Sequence, residues 1–377
     1  MPSHTTHNTP ALRFPGYTGV WKQKKVEEYA SFLTGHGLSK ADLSPDGKQE
    51  CILYGNLYTD YGMIADKVVN KTNARINNPV YSKFGDVLIP ASDTTPTGLA
   101  RATSIERSNV LLGGDINIIR PHDDINGSCL SLALNVNRKE LIRLIRGTTV
   151  KHIHNSEIKN IELCMSQSLE EQTQIAVTFK TLDHLINLHQ RQTQKLRELK
   201  QGLLQNMFPR EGESVPRLRF PGSTTHWERQ KLSEIADFLT GHVESKSDDV
   251  LLPASGYSSD VLARTKCNTG GGACCIYNGG RVVNIIRPHN EVNGSYLSLA
   301  LNNGNELIRL VQGSIGKRIP FMDVKDKVTV LLPELEEQQK IAEFFNAMSP
   351  LCEKNMGIVD RALLRIKDRF LRMMFIS

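Results

Sequence analysis

No run of about 18 apolar residues exists in this 377-residue sequence, so a helical membrane span is not expected. The opening MPSHTTHNTP has neither a basic start nor an apolar core, which is not the pattern of a secretory signal. Cysteine is sparse: Cys51, Cys129, Cys164, Cys267, Cys274, Cys275 and Cys352 are odd in number, scattered and without a CxxC pair. Neither a disulfide framework nor a zinc site follows from that spacing, and a reducing cytoplasm is the expected compartment. Strong charge is absent too. The 46 Lys and Arg against 40 Asp and Glu leave a net +6, mild enough to allow a nucleic-acid partner without requiring one.

Catalytic signatures are also missing. There is no GxxxxGK[ST] phosphate loop, and the Gly-Gly-Gly at 270–272 stands outside any GxGxxG pattern. NNPVY (77–81) has the outline of an amino-methyltransferase box, but one proline is replaced and no Gly-rich cofactor motif accompanies it. His152 and His154 would face one side of a strand, yet no third metal ligand is close in sequence. A self-contained methyltransferase or nuclease is therefore an alternative with little to carry it.

What the sequence does contain is itself, twice. NIIRPHDDINGSCLSLALN (117–135) returns as NIIRPHNEVNGSYLSLALN (284–302), with 15 of 19 residues identical. LRFPG (12–16) returns at 218–222, Trp21 as Trp227, FLTGH (32–36) at 238–242, DVLIPAS (86–92) as DVLLPAS (249–255), ELIRLIRG (140–147) as ELIRLVQG (306–313), and LEEQTQIA (169–176) as LEEQQKIA (335–342). One unit of about 200 residues has been duplicated, far beyond the roughly 20–50-residue periods of solenoids. Between FLTGH and DVLxPAS the first copy has 49 residues and the second only six, so the second is trimmed. The missing stretch includes CILYGNLYTDYGMI (51–64), which reads as two strand-like runs around turn residues.

Each copy changes texture partway. Residues 12–166 and 218–333 hold short runs such as VLIP, INII, LSLAL and VVNII broken by Gly, Asn, Pro and Asp, with a short helical KELIRLIRG, which predicts a mixed α/β (α+β) domain. The next segments, 167–208 and 334–376, have apolar residues three or four apart and open on an acidic Leu-Glu-Glu. Each predicts a helix about 60 Å long at about 1.5 Å per residue. Pro350 and Gly357 place a kink or break in the second. The stripes Ile175, Phe179, Leu182, Ile186, Leu196, Leu203 and Ile341, Phe345, Met348, Val359, Leu363, Ile366 predict antiparallel coiled-coil packing, with 209–217 as a linker. Two amphipathic helices lying on separate domains are the alternative.

Basic residues recur in matched places. Arg138, Lys139, Arg143, Arg146, Lys151 and Lys159 stand against only Glu140 and Glu157, and Arg309, Lys317, Arg318 and Lys325 are the counterparts. Lys and Arg neutralise phosphates, Arg reads guanine, and Asn pairs with adenine. The candidate DNA-contacting set is Tyr54, Asn56, Tyr58, Arg75, Ser92, Arg101, Asn117, Arg120, Lys151 and His152 in the first copy. In the second it is Ser255, Arg264, Lys266, Asn284, Arg287, Lys317 and Arg318. Each one alone can equally be a solvated surface charge.

In these residues the chain resembles the specificity subunits of type I restriction-modification systems. The motifs are the opening Leu-Arg-Phe-Pro-Gly, Ile-Pro-Ala-Ser with a following Ala-Arg, Gly-x-x-x-Lys (147–151, 313–317), and Leu-Glu-Glu-Gln-x-x-Ile-Ala opening a long helix. The resemblance implies two target recognition domains, each reading one half of a bipartite, asymmetric site, held apart by a coiled-coil spacer. It also implies two modification (methyltransferase) subunits and two restriction (motor-nuclease) subunits as partners, which would carry the S-adenosylmethionine, ATP and magnesium. No cofactor is expected on this chain. A coiled-coil assembly adaptor without a DNA role is the remaining alternative.

Overall fold

The computed structural model describes residues 9–375 apart from 211, 241–243, 257, 260–262, 269–275, 278–280, 313–316 and 354–356. Gly-Gly-Gly 270–272, Cys274, Cys275 and most of the second Gly-x-x-x-Lys lie outside the described residues. The chain divides into two units, Met1–Leu188 with Arg361–Ser377, and His189–Asp360.

In the first unit a five-stranded sheet runs Ala30–Thr34, Ile116–Pro121, Asp86–Pro90, Thr103–Ile105, Ile64–Ala65. The pairings are antiparallel except the last, which is parallel. The central strand Asp86–Pro90 is buried at every position, and its side chains alternate between two cores. Val87 and Ile89 join Leu130, Leu132 and Leu134 on one face, while Leu88 joins Ile52, Leu57 and Ile118 on the other. Each such side chain contributes about 1.5–3 kcal/mol by burial.

The stretch unique to the first copy supplies that second face. Strand Gln49–Ile52 pairs with Asn70–Thr72 on one side and Leu111–Leu112 on the other in a small three-stranded sheet, and Ile64–Ala65 is the edge strand of the five-stranded one. The second unit keeps the order Ala236–Leu239, Arg281–Pro288, Val250–Pro253, Lys266–Cys267 and has no counterpart of the fifth strand among the described residues. Leu251, the equivalent of the fully buried Leu88, is only half-buried there.

Two expectations from sequence are corrected. LSLAL is helix, not strand: Gly127–Val136 and Gly294–Asn303 are capped by Asn126 and Asn293, whose side chains accept from the Cys129 and Tyr296 amides at 3.0 and 2.9 Å. The caps satisfy otherwise orphaned amides, and burial rather than periodicity hides the helical face. CILYGNLYTDYGMI contains one helical turn, Asn56–Thr59, between its strands, because Asn56 accepts from the Leu53 amide and closes a local turn.

Leu169–Met207 is a continuous helix of 39 residues. Its partner is described as two helices, Leu335–Glu353, with Pro350 in the last turn, and Gly357–Met374. Both units show antiparallel packing. In the first, Asp183 pairs with Lys367, and Ile175 and Phe179 share a core with Leu371, Met374 and Phe375. In the second, Lys200 donates to Ser349 at 2.9 Å, and Ile341 and Phe345 share a core with Met207 and Phe208. Ile186 is also buried, while Leu182, Leu196, Leu203, Met348 and Leu363 are half-buried. Ile366 is 49% exposed, less covered than the other described stripe residues, and the Val359 side chain lies outside the described ones.

The end of each helix meets the start of a sheet domain in the same way. Phe375 stacks edge-on against Trp21 at 5.8 Å, and the Leu12 amide donates to the Met373 carbonyl at 2.8 Å. Phe208 meets Trp227 edge-on at 6.0 Å, and the Leu218 amide donates to the Asn206 carbonyl at 2.8 Å.

Candidate nucleic-acid interface

The duplicated motifs first build clamps. Arg13 of LRFPG makes a forked pair with Glu171 of LEEQ at 2.6 and 2.8 Å, and Arg219 repeats it on Glu337 at 2.9 and 2.5 Å. Ser166 supports the first carboxylate and the Trp227 indole, at 3.2 Å, the second. Burial pushes the Glu171 carboxyl up, but hydrogen bonds from Arg13 and Ser166 outweigh it and hold it below the ordinary 4.5. Gln172 and Gln338 then accept from the Asn126 and Asn293 amides at 2.8 and 2.9 Å, fixing the long helix to the capped helix of its own copy. These residues stood in repeated motifs, but their pairing was not anticipated; an Arg and a Glu both repeated without exception was the available signal.

A second clamp engages residues of the candidate DNA set. Arg120 forks onto buried Asp86 at 2.9 and 2.7 Å and donates to the Tyr81 carbonyl, and Arg287 does the same with Asp249 at 2.9 and 2.8 Å and the Glu244 carbonyl. Bidentate charge-assisted bonds of this kind join neighbouring strands of the sheet through Nε and Nη2 of each guanidinium. Asn117 is 3% exposed and donates to the Ile153 carbonyl, and Asn284 is 7% exposed, so neither reaches an adenine. Asn56 has both ends occupied, by the Leu53 amide and by Asp60. The three asparagines are corrections to the sequence reading, and the two arginines are clamps of the fold as well as candidates.

Most of the remaining candidates lie on or beside a short antiparallel strand pair that both copies possess, called the hairpin because its second strand also bridges back locally, His152 to Arg146 and Arg318 to Gln312. Ser92–Asp93 pairs with Lys151–His152, Ser92 opposite His152, and Ser255–Gly256 pairs with Lys317–Arg318, Ser255 opposite Arg318. The Pro-Ala-Ser and Gly-x-x-x-Lys motifs are thus the two halves of one element. Gly147 has φ of +107°, and a Cβ there would lie 2.1 Å from the Val150 carbonyl oxygen, so the turn before Lys151 requires glycine. Asn117 holds the strand end from beneath. Exposed along and beside the hairpins are His152, Arg143 and Arg146 in the first copy, and Ser255, Arg264, Lys266 and Arg318 in the second. Lys151 bonds the Gly147 carbonyl and Lys317 bonds Ser259. His152 and His154 stack in parallel at 6.2 Å.

In the first copy the extra stretch leans on the hairpin: the Tyr58 hydroxyl donates to the Ser92 carbonyl at 2.7 Å, and Arg101 donates to the Leu57 and Tyr58 carbonyls. Tyr54 is 41% exposed, edge-on to Tyr58, and borders a cleft of about 880 Å³ with Ser39, Lys40 and Asp115. Arg75 is exposed on the same stretch, and nothing in the structure joins it to the hairpin. Among the described residues no three His, Cys, Asp or Glu side chains converge as a metal site, and no helix is long and apolar enough to cross a membrane.

Two sheet domains, each presenting the same strand pair and each clamped to a long helix, define a duplicated scaffold. Residues 19–198, just under half of the chain, match the model of the family described as Type I restriction modification DNA specificity domain. The chain is 21% identical over 224 residues to the Type I restriction enzyme MjaVIII specificity subunit of Methanocaldococcus jannaschii, covering 59% of this chain. The match spans about half the length of that relative, 50%. The crystal structure of a type I restriction-modification system S subunit from M. genitalium shares the fold, with a TM-score of 0.65 at 16% identity, over 98% of this chain and 99% of that one.

Proposed function

We propose that the chain is the DNA-specificity subunit of a type I restriction-modification enzyme. Residues 12–166 and 218–333 are the target recognition domains, 167–208 and 334–376 the spacer helices, and 209–217 their linker. Each hairpin enters one half of a bipartite site, and because the two domains differ in sequence and size the site is asymmetric. Two modification subunits, and in the cleaving assembly two restriction subunits, supply the S-adenosylmethionine, ATP and magnesium chemistry. A chain with an internal pseudo-twofold offers two like faces to two identical partners. Outward apolar side chains on the helices, among them Leu185, Leu188, Leu199, Leu364 and Phe370, support a helical partner surface there.

The observation that carries the reading is the same basic hairpin built twice from the same two motifs. Methylation of duplex DNA by the purified chain alone is expected to be nil, and addition of a cognate modification subunit is expected to give methylation at a split, non-palindromic site. Methyl transfer by the lone chain, or a reconstituted complex that ignores DNA sequence, would refute it.

A further inference from the structure

The arginine after Pro-Ala-Ser is held at the same point of the fold in both copies. The residue following Arg101 bonds the Asn135 side chain in both directions, Ala102 amide to Oδ1 at 3.3 Å and Nδ2 to the Ala102 carbonyl at 2.8 Å. Thr265, after Arg264, bonds Asn302 in the same two ways at 2.7 and 2.9 Å. The residues before them, Ala100 and Ala263, are both buried. The two side chains therefore leave the domain from equivalent positions.

Their surroundings differ because of the trimmed stretch. Arg101 is half-buried and donates to the Leu57 and Tyr58 carbonyls at 2.7 and 2.8 Å, at the end of a helical turn the second copy does not have. Arg264 is exposed and has no hydrogen-bond or ion-pair partner among the described residues. It also stands next to the hairpin. The Ala263 amide donates to the Ser259 carbonyl at 2.9 Å, and the Ser259 hydroxyl accepts from Lys317 at 2.7 Å. Exposed Lys266, two residues further on, adds another cation to this stretch.

We infer that this one position has two roles: Arg101 is a strut that holds the extra stretch against the first hairpin, and Arg264 contacts the DNA backbone in the second domain. The inference rests on the DNA-recognition reading and assigns, within it, a contact that trimming has released. A phosphate is the partner an exposed guanidinium beside a lysine takes, and such a contact adds affinity without sequence preference.

The test uses the full chain in complex with a modification subunit, and compares wild type, R101A and R264A. Duplex binding is measured across a series of salt concentrations, and thermal melting alongside. R264A is expected to flatten the slope of log K against log salt by about one phosphate contact, with the melting point unchanged. R101A is expected to keep the wild-type slope and to melt roughly 3–8 °C lower, since two carbonyls lose their donor. A wild-type slope in R264A, beside normal wild-type binding, overturns this inference alone, as does an equal loss of slope in R101A. No duplex binding by the wild-type complex at any salt overturns the DNA-recognition reading and this inference with it.

Discussion

Replacing Glu171 with alanine is expected to destabilise the first unit by about 3 kcal/mol, the lower end for removing one partner of a buried ion pair. Glu171 is fully buried and Arg13 only 14% exposed, so the guanidinium left behind keeps two unpaired donors out of water. For a unit of this size that corresponds to a fall of roughly 6–12 °C in melting temperature. Glu337→Ala is the matching variant in the second unit, where Trp227 loses its acceptor as well. A double variant, Arg13→Met with Glu171→Leu, is expected to recover much of the loss, because the penalty lies in the orphaned charge and not in the absence of the pair.

The same clamp carries an acid dependence. The folded carboxyl of Glu171 lies below its ordinary 4.5, so its contribution is complete above that value and disappears as pH falls through the lowered one. Melting temperature is therefore expected to drop more steeply below about pH 4.5 in the wild type than in Glu171→Gln. Parallel acid profiles for the two proteins would show that the clamp does not hold the helix to its domain.

Gly127→Ala is the second large effect. A Cβ there would lie 1.8 Å from the Gly85 carbonyl oxygen and 2.6 Å from its carbon, and backbone has to move to admit it. Gly85 leads directly into Asp86, which holds Arg120 and begins the central strand, so the displacement reaches the middle of the sheet. Overpacking costs typically about 1–3 kcal/mol, and a rigid backbone neighbour on both sides puts this case at or beyond the upper figure. Gly294→Ala meets the Asp248 carbonyl oxygen at 1.9 Å and is expected to do the same in the second domain. Gly202 in the long helix has nothing within 4 Å of its Cβ position, so Gly202→Ala is expected to raise stability by about 0.5–1 kcal/mol. If Gly127→Ala melts with the wild type, the close approach drawn between the two backbones is wrong.

The duplication, the trimmed stretch and the two long helices were legible from residue identity alone, because a repeat of this length needs no knowledge of contacts. The antiparallel pairing followed from the apolar stripes at Ile175, Phe179, Ile341 and Phe345. LSLAL was misread because a helix buried on nearly all sides shows no amphipathic face. The candidate contacts at Asn117 and Asn284 failed, and Arg120 and Arg287 turned out to clamp the fold, for a more general reason. Two copies of one fold must share whatever holds the fold together, whereas domains that read different half-sites are free to differ in what meets the bases. Repetition therefore pointed to clamps and caps, while the stretch around Tyr54, which has no counterpart, is free to differ between the domains. The hairpin escaped prediction because its two strands are only two residues each and lie far apart in sequence.

The seam joining helix end to domain start occurs once across the short connection from Met207 to Leu218 and once between Met373 and Leu12, with the same aromatic pair and the same backbone bond. Peptide continuity is present at one and missing at the other, so covalent linkage is not what forms it. A cut in the connection between Met207 and Leu218 is therefore expected to leave that joint assembled, held by the Phe208–Trp227 contact and the Leu218–Asn206 bond.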